Sequence, residues 1–220
     1  MGRGERLGPA VPDHALSTAL FALVGYLAGS VPTGYWLVRA LKREDIRKTG
    51  SGNIGATNVW RTYGARYGVT VMVLDTLKGF VPALLATIYV GELAGVIAGG
   101  AAMLGHWRPL YMKFARGGKA VATCGGAILG VAPLVGGIGA LVWLVVFALF
   151  RYASLASIAA ALSLPVAAAV LGRPWPVIVF AALAAVAVVV LHRPNIRRLR
   201  AGTEARFRFR RRAEPTRHGV

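Results

Sequence analysis

The chain has 220 residues, 56% of them apolar and 15% charged, with 26 Lys+Arg against 8 Asp+Glu for a formal charge of +18. A mean hydropathy of +0.58 and long apolar runs exclude a water-soluble domain, because no single water-facing shell can be built from such residues. The single cysteine excludes an intrachain disulfide framework and a cysteine-based zinc site, the scattered histidines suggest no metal cluster, and basic residues confined to loops point to membrane topology before nucleic acid.

Read in chain order, residues 1–14 form a short extracytoplasmic tail. The apolar stretch that follows lacks a clean small-residue cleavage site, so it is expected to stay as a first span. About 20 apolar residues cross a hydrocarbon core of roughly 30 Å. Ala15 to Val38 and Val69 to Val90 meet this length. Between them Arg39, Lys42, Arg43, Arg47, Lys48, Arg61 and Arg66 assign the intervening loop to the cytoplasm. Leu93 to Gly105 is short, but the next loop carries Arg108, Lys113, Arg116 and Lys119, so this segment must cross for both loops to share a side. Ala120 to Phe150 would be about 46 Å as one helix, too long for a bilayer, and Pro133 with Gly136 and Gly137 near its middle divides it into two spans. Ala153 to Leu171 and Val177 to Leu191 complete a seven-helix, all-α, polytopic membrane protein with its N-terminus outside and its C-terminus cytoplasmic. Only Arg3, Arg6 and Arg173 then lie outside. The domain division is a 1–14 tail, a 15–192 membrane domain and a 193–220 basic cytoplasmic tail.

Three polar segments fall on the cytoplasmic side. Lys48 to Arg61 reads KTGSGNIGATNVWR. Gly50, Gly52 and Gly55 match the spacing of a dinucleotide fingerprint, but no strand precedes them and a membrane helix follows, so that reading is rejected. What remains is backbone N–H groups exposed by glycines, which with Lys48 and Arg61 suit a phosphate; a merely flexible loop is the plain alternative. The second segment holds Gly105-His106-Trp107-Arg108-Pro109 and then Gly117-Gly118-Lys119-Ala120. Ala120 stands where a nucleotide-binding loop needs Ser or Thr, so nucleotide hydrolysis is disfavoured, while Lys119 can still meet a phosphate as a point charge. The third holds His192-Arg193-Pro194-Asn195 and Arg200 to Glu204. Ser30 to Gly34 reads as a Pro/Gly break, Asp75 with Lys78 as an ion pair or a catalytic pair, and Ser154 with Ser157 as helix-packing residues.

Taken together, Ser30-Val31-Pro32-Thr33-Gly34, the run Arg47 to Asn58 with its GSGNIGATN core, Asp75 with Lys78-Gly79, Gly105-His106, Gly117-Gly118-Lys119, and His192-Arg193 with Asn195 resemble the bacterial acyl-phosphate:glycerol-3-phosphate acyltransferase family. The resemblance runs from Ser30 to about Glu204. It implies an integral inner-membrane enzyme of seven spans that makes lysophosphatidic acid from a fatty acyl phosphate and sn-glycerol 3-phosphate, with its active site on the cytoplasmic side. Carried over residue by residue, it implies Arg61, Lys119 and His192 as catalytic residues. Ser51, Gly52, Asn53, Thr57, Gly117, Gly118, Ser154 and Asn195 become substrate-binding residues. The family usually has Gly where this chain has Ala120, and an aromatic residue where it has Arg108. Beyond the two substrates and membrane lipid no partner is expected: no nucleic acid, no obligatory protein, no cofactor and no metal.

The chemistry fits this reading. An acyl phosphate carries its own leaving group, so positioning and charge stabilisation can dominate catalysis. Two anionic reactants account for two cationic, glycine-bearing loops. No histidine has an Asp five positions on, as many soluble-type glycerolipid acyltransferases require. His192 can serve as base or as a structural histidine at a helix end, and a substrate phosphate oxygen can replace it. Cys124 lies in an apolar span without an adjacent His, a poor nucleophile. The alternatives are a transporter of organic phosphates, which predicts midplane polar residues and a repeated half, and a lipid-binding scaffold, which leaves the GSGN block unexplained.

Overall fold

The computed structural model describes residues 14–207. The expected extracytoplasmic tail up to residue 13, and the basic tail from residue 208 onward, lie outside the described residues. Within the described residues all regular structure is helical: α1 (His14–Gly29), α2 (Thr33–Lys42), α3 (Ala56–Tyr63), α4 (Ala65–Tyr89), α5 (Glu92–Trp107), α6 (Val121–Val131), α7 (Pro133–Phe150), α8 (Ala153–Val170), α9 (Trp175–Leu191) and α10 (Arg193–Arg200), with single 3-10 turns at Ile46–Lys48 and Leu110–Met112.

The breaks follow the side chains. Pro32 lacks a donor, and the stretch expected as one span from Ala15 to Val38 divides there into α1 and α2, with α2 continuing to Lys42. The division expected inside 120–150 falls at Ala132, and Pro133 takes the first turn of α7, where its missing N–H has no partner to lose. By length and composition, residues 14–42 taken together, α4, α7 and α8 can cross a membrane, and α9 joined to α10 through a 60° bend makes a fifth. The expectation of seven crossings therefore leans on two shorter helices, α5 with 16 residues and α6 with 11.

Small residues bring the short helices close to the long ones. Gly25 and Gly29 of α1 lie against the backbone of Ala98 and Ala102 in α5, and Gly126 and Gly130 of α6 lie against Thr76, Phe80 and Leu84 in α4. A Cβ at any of these four glycines would collide with backbone, the close-approach geometry by which membrane helices pack without a hydrophobic drive. The main apolar cluster joins α4, α5, α6, α7, α8 and α9 around Ala127, Ile128, Val135, Ala168, Val177 and Ala181.

Two opposite ends of the bundle are tied separately. At one end the α4–α5 turn meets the α8–α9 turn through an ion pair between Glu92 and Arg173. At the other end Arg61 ahead of α4, Lys119 ahead of α6, Ser154 at the start of α8 and Asn195 after α9 are all joined to the 204–205 segment, directly or through one side chain. Residues 193–207 thus fold back onto the helices, and Asn195, Glu204 and Phe207 are buried.

Candidate functional site

The 49–55 loop owes its shape to one side chain. The Asn58 amide donates to the carbonyls of Thr49 (3.1 Å) and Asn53 (2.8 Å), reaches toward that of Ile46 (3.4 Å), and through its Oδ1 accepts the Ser51 N–H at 2.9 Å. Gly50 and Gly52 take left-handed φ values of 56° and 70°, which curl the chain around this amide. Asn53 accepts the Gly55 N–H at 2.8 Å, and α3 then opens without a side-chain cap; the Asn58 N–H is taken by the Gly55 carbonyl at 3.1 Å, so the Ala56 and Thr57 amides and the positive dipole end are what the helix offers an anion. Ser51 and Gly52 sit exposed at the tip, while Asn53 and Thr57 are half-buried.

The second cluster centres on Glu204, which is 8% exposed. Its Oε1 accepts from Asn195 Nδ2 at 2.6 Å and Ser154 Oγ at 2.7 Å, and its Oε2 from Arg198 Nε at 2.7 Å. Burial raises the Glu204 carboxyl, but these hydrogen bonds and the Arg198 charge outweigh it, leaving the group below the usual carboxylate value. Asn195 passes the connection on: its Oδ1 accepts from Lys119 Nζ at 2.5 Å. Burial, aided by the charges of Arg198, Arg116 and Arg61 and opposed by Glu204, brings the Lys119 ammonium down to about 8. Arg61 donates to the Ala205 carbonyl at 2.8 Å and stacks over Phe207, which is wedged edge-on between Trp60 and Phe147.

His192 is buried at the end of α9, with Nδ1 2.8 Å from the Val188 carbonyl. A carbonyl only accepts, so Nδ1 carries the hydrogen and Nε2 keeps its lone pair. Burial, and then the charge of Lys119, lower the imidazole to about 4, so the ring is neutral at pH 7.

Gly117 and Gly118 contribute shape. Their amides are already engaged by the carbonyls of Trp107 (2.9 Å) and His106 (3.1 Å), and a Cβ on either would strike His106. Ala120 takes the left-handed conformation that a glycine adopts without strain, φ 56°, so the loop keeps its turn despite the substitution.

The structure therefore gathers Arg61, Lys119, Ser154, His192 and Asn195 at one end of the bundle. No hydrogen bond among the described residues joins Ser51, Gly52, Asn53 or Thr57 to the Glu204 cluster; loop and cluster meet through α3, which carries both Asn58 and Arg61. Two residues outside the sequence-derived site set organise it. Asn58 was visible as the last Asn of the GSGNIGATN block. Glu204 was visible as one of only two carboxylate side chains, with Glu214, in an arginine-rich tail.

Fold and site together define a multi-pass integral membrane protein with a cationic, polar centre where its helix ends converge. A profile described as Glycerol-3-phosphate acyltransferase matches residues 19–202. The glycerol-3-phosphate acyltransferase of Desulforudis audaxviator (strain MP104C) is 46% identical over 201 residues, covering 89% of this chain and 98% of its own. That of Agrobacterium fabrum (strain C58 / ATCC 33970) is 46% identical over 189 residues, covering 86% and 91%. A crystal structure of PlsY (YgiH), an integral membrane glycerol 3-phosphate acyltransferase in its glycerol 3-phosphate form, superposes with a TM-score of 0.83 at 42% identity, over 87% of this chain and 96% of that one. Its lysophosphatidic acid form gives 0.80 at 40% identity, over 87% and 95%. The chain belongs to the glycerol-3-phosphate acyltransferase family, and it is an enzyme, an acyltransferase. The resemblance drawn from its motifs is borne out, and the transporter and scaffold readings fall away.

Proposed function

We propose that the chain transfers a fatty acyl group from acyl phosphate to the 1-hydroxyl of sn-glycerol 3-phosphate, giving lysophosphatidic acid and inorganic phosphate, the first acylation of phospholipid synthesis. The observation that carries the donor assignment is the convergence of Arg61 and Lys119 at one end of the bundle, beside the loop that leads into the uncapped start of α3: two anionic reactants need two cationic seats. Arg61 keeps donors beyond the one given to Ala205, and Lys119 supplies a point charge to the departing phosphate. Ser51, Gly52, Asn53 and Thr57 hold one phosphate with the α3 amides. Gly117 and Gly118 shape the other seat, and Ser154 and Asn195 fix its walls.

In the reaction the glycerol oxygen attacks the acyl carbon, the bond from that carbon to the phosphate oxygen breaks, and phosphate leaves with the electron pair. His192 Nε2 accepts the hydroxyl proton. Burial and the charge of Lys119 keep it unprotonated, and two arriving phosphates raise its basicity.

The same reading places seven spans in the bacterial inner membrane, N-terminus outside, with the 1–14 tail external, residues 15–192 a single membrane domain whose catalytic loops are cytoplasmic, and 193–220 cytoplasmic. The concentration of the polar loops at one bundle end, opposite the Glu92 and Arg173 pair, supports alternating passage of α4 to α9. The 11 residues of α6 suffice where a helix is packed within protein.

The test uses purified protein reconstituted in lipid. Phosphate release from acyl phosphate should require glycerol 3-phosphate and yield lysophosphatidic acid, with Arg61→Ala and Lys119→Ala each reduced about 100-fold or more in kcat/KM. Turnover of acyl-CoA without acyl phosphate overturns the donor assignment.

A further inference from the structure

We propose that Asp75 is a positioning residue that sets the separation of the two phosphate-binding loops. The proposal rests on the reading that the 49–55 loop and the 117–120 loop each serve one phosphorylated reactant. Asp75 is 2% exposed, deep among the helices. Its Oδ1 has three polar neighbours: Thr33 Oγ1 donates to it, Lys78 Nζ lies at 2.7 Å, and His106 Nδ1 at 3.7 Å.

Each neighbour belongs to a different support. Thr33 opens α2, and the next residue, Gly34, presses so closely on the Ile54 carbonyl that a Cβ would collide with it. Ile54 belongs to the first loop. His106 ends α5, its carbonyl accepts the Gly118 N–H at 3.1 Å, and its ring fills the space a Gly118 side chain would need. Lys119 is the next residue. Lys78 also donates to the Val31 carbonyl at 3.0 Å, holding the break between α1 and α2. One buried carboxylate therefore stands behind both loops.

An ion pair serving α4 alone would need only Lys78. Burying charge is a poor way to gain stability, because well-packed apolar residues do as well or better. What a carboxylate offers is direction, since its oxygens accept along defined lines whereas apolar contacts are non-directional. Each loop can bind its own ligand locally. Reaction, however, requires reacting atoms about 3–3.5 Å apart, and a 1 Å error costs roughly 100-fold. Loosening Asp75 should consequently lower kcat and leave binding of each substrate nearly intact.

Thr33→Val removes one hydroxyl and leaves the Asp75 and Lys78 pair in place. In the reconstituted full chain, kcat is expected to fall about 10-fold or more, with KM for both substrates within about 3-fold of the parent; Thr33→Ser restores kcat and Asp75→Asn repeats the loss. Cys124 is buried, so spin labels can be carried by Lys48→Cys and Arg116→Cys. Pulsed EPR should give a narrow distance distribution in the parent and a broad or shifted one with Thr33→Val. Parent-like kcat and distances in Thr33→Val overturn the proposal. So does a loss of rate that follows a lower unfolding temperature with distances unchanged, which is packing alone. A parent protein without acyl transfer overturns the functional reading instead, while the distance measurement still tests Asp75.

Discussion

Lys119 Nζ meets Asn195 Oδ1 at 2.5 Å across a sequence separation of 76 residues, and the Asn195 amide is held in turn by Glu204. The ammonium is thereby aimed by a neutral partner, with its carboxylate one side chain further away, so it is not neutralised on the spot. A directly paired lysine would be a poor anion receptor. This one retains charge that an incoming phosphate can use.

The first prediction follows from that setting. Lys119 of the free enzyme loses its proton as pH rises through about 8, so kcat/KM for the anionic substrates should fall above about pH 8. Lys119→Arg, whose guanidinium stays charged, should remove that alkaline limb at a lower maximal rate. Unfolding does not explain the fall. A lysine whose folded value is depressed binds fewer protons than the unfolded chain between about 8 and the free value of about 10.4, so its contribution to stability grows with pH across that window. Thermal unfolding followed in parallel with the rates separates the two effects.

Asn58 yields a second. Its NH2 group serves backbone carbonyls and its oxygen serves an N–H, a demand that only an amide meets. Asn58→Asp points a carboxylate at those carbonyls, whereas Asn58→Ala only leaves them unpaired, at about 1–3 kcal/mol for a buried group. The aspartate variant should be the worse of the two. KM for glycerol 3-phosphate should rise at least about 10-fold in both if the loop seats it; binding measured by calorimetry on the parent and the two variants checks the order.

How far the sequence could be read is clearest at such positions. Helix positions were legible because apolar runs and prolines act locally: Pro133 marked the start of α7, and the helix ends that carry the polar loops were flagged by basic residues. Locally polar segments were legible too, since GSGN and GGK stretches have no purpose in a lipid-facing helix. The hidden part was pairing. Nothing in the spacing says that Glu204 accepts from Ser154, or that Gly34 rests on Ile54, because such contacts depend on how helices separated by many residues pack. The first helical stretch shows the same limit: the Pro/Gly break expected at Ser30 to Gly34 falls where α1 ends and α2 begins, but the continuation of α2 past the apolar run to Lys42 rests on backbone hydrogen bonds that hydropathy does not report.

Ala120 provides a third prediction, on stability. Its left-handed backbone costs about 1–2 kcal/mol relative to an ordinary conformation. Replacing it with Gly removes that cost but adds about 0.5–1 kcal/mol of unfolded-state freedom and loses a buried methyl worth about 0.8 kcal/mol. The terms offset, which explains how alanine can stand where the family usually has glycine. Ala120→Gly should therefore change stability by less than about 1 kcal/mol. Ala120→Val, β-branched and 2% exposed at the parent position, should destabilise by about 2 kcal/mol or more. Denaturation in mixed micelles distinguishes the two variants.

The last prediction concerns the acyl chain. An apolar groove of about 360 Å³ runs between α8 and α9, lined by Leu162, Pro165, Ala182, Ala185, Val186, Val189 and Val190. Ala185 and Val189 precede His192 by seven and three positions, the spacing that puts residues on one helix face, so the groove approaches the imidazole along α9. A chain lying there would keep its carbonyl near Nε2 and its tail toward the far end at Ala182. Ala182→Phe should then shift the preferred donor toward shorter chains, since it fills the groove end that would hold the last methylenes, and a methylene gained or lost in an apolar pocket is worth about 1–3 kcal/mol, or roughly 10- to 200-fold in discrimination. Rates with a series of acyl phosphates of increasing length decide the matter: an unchanged length profile in Ala182→Phe, at normal protein yield, would mean that the chain lies elsewhere.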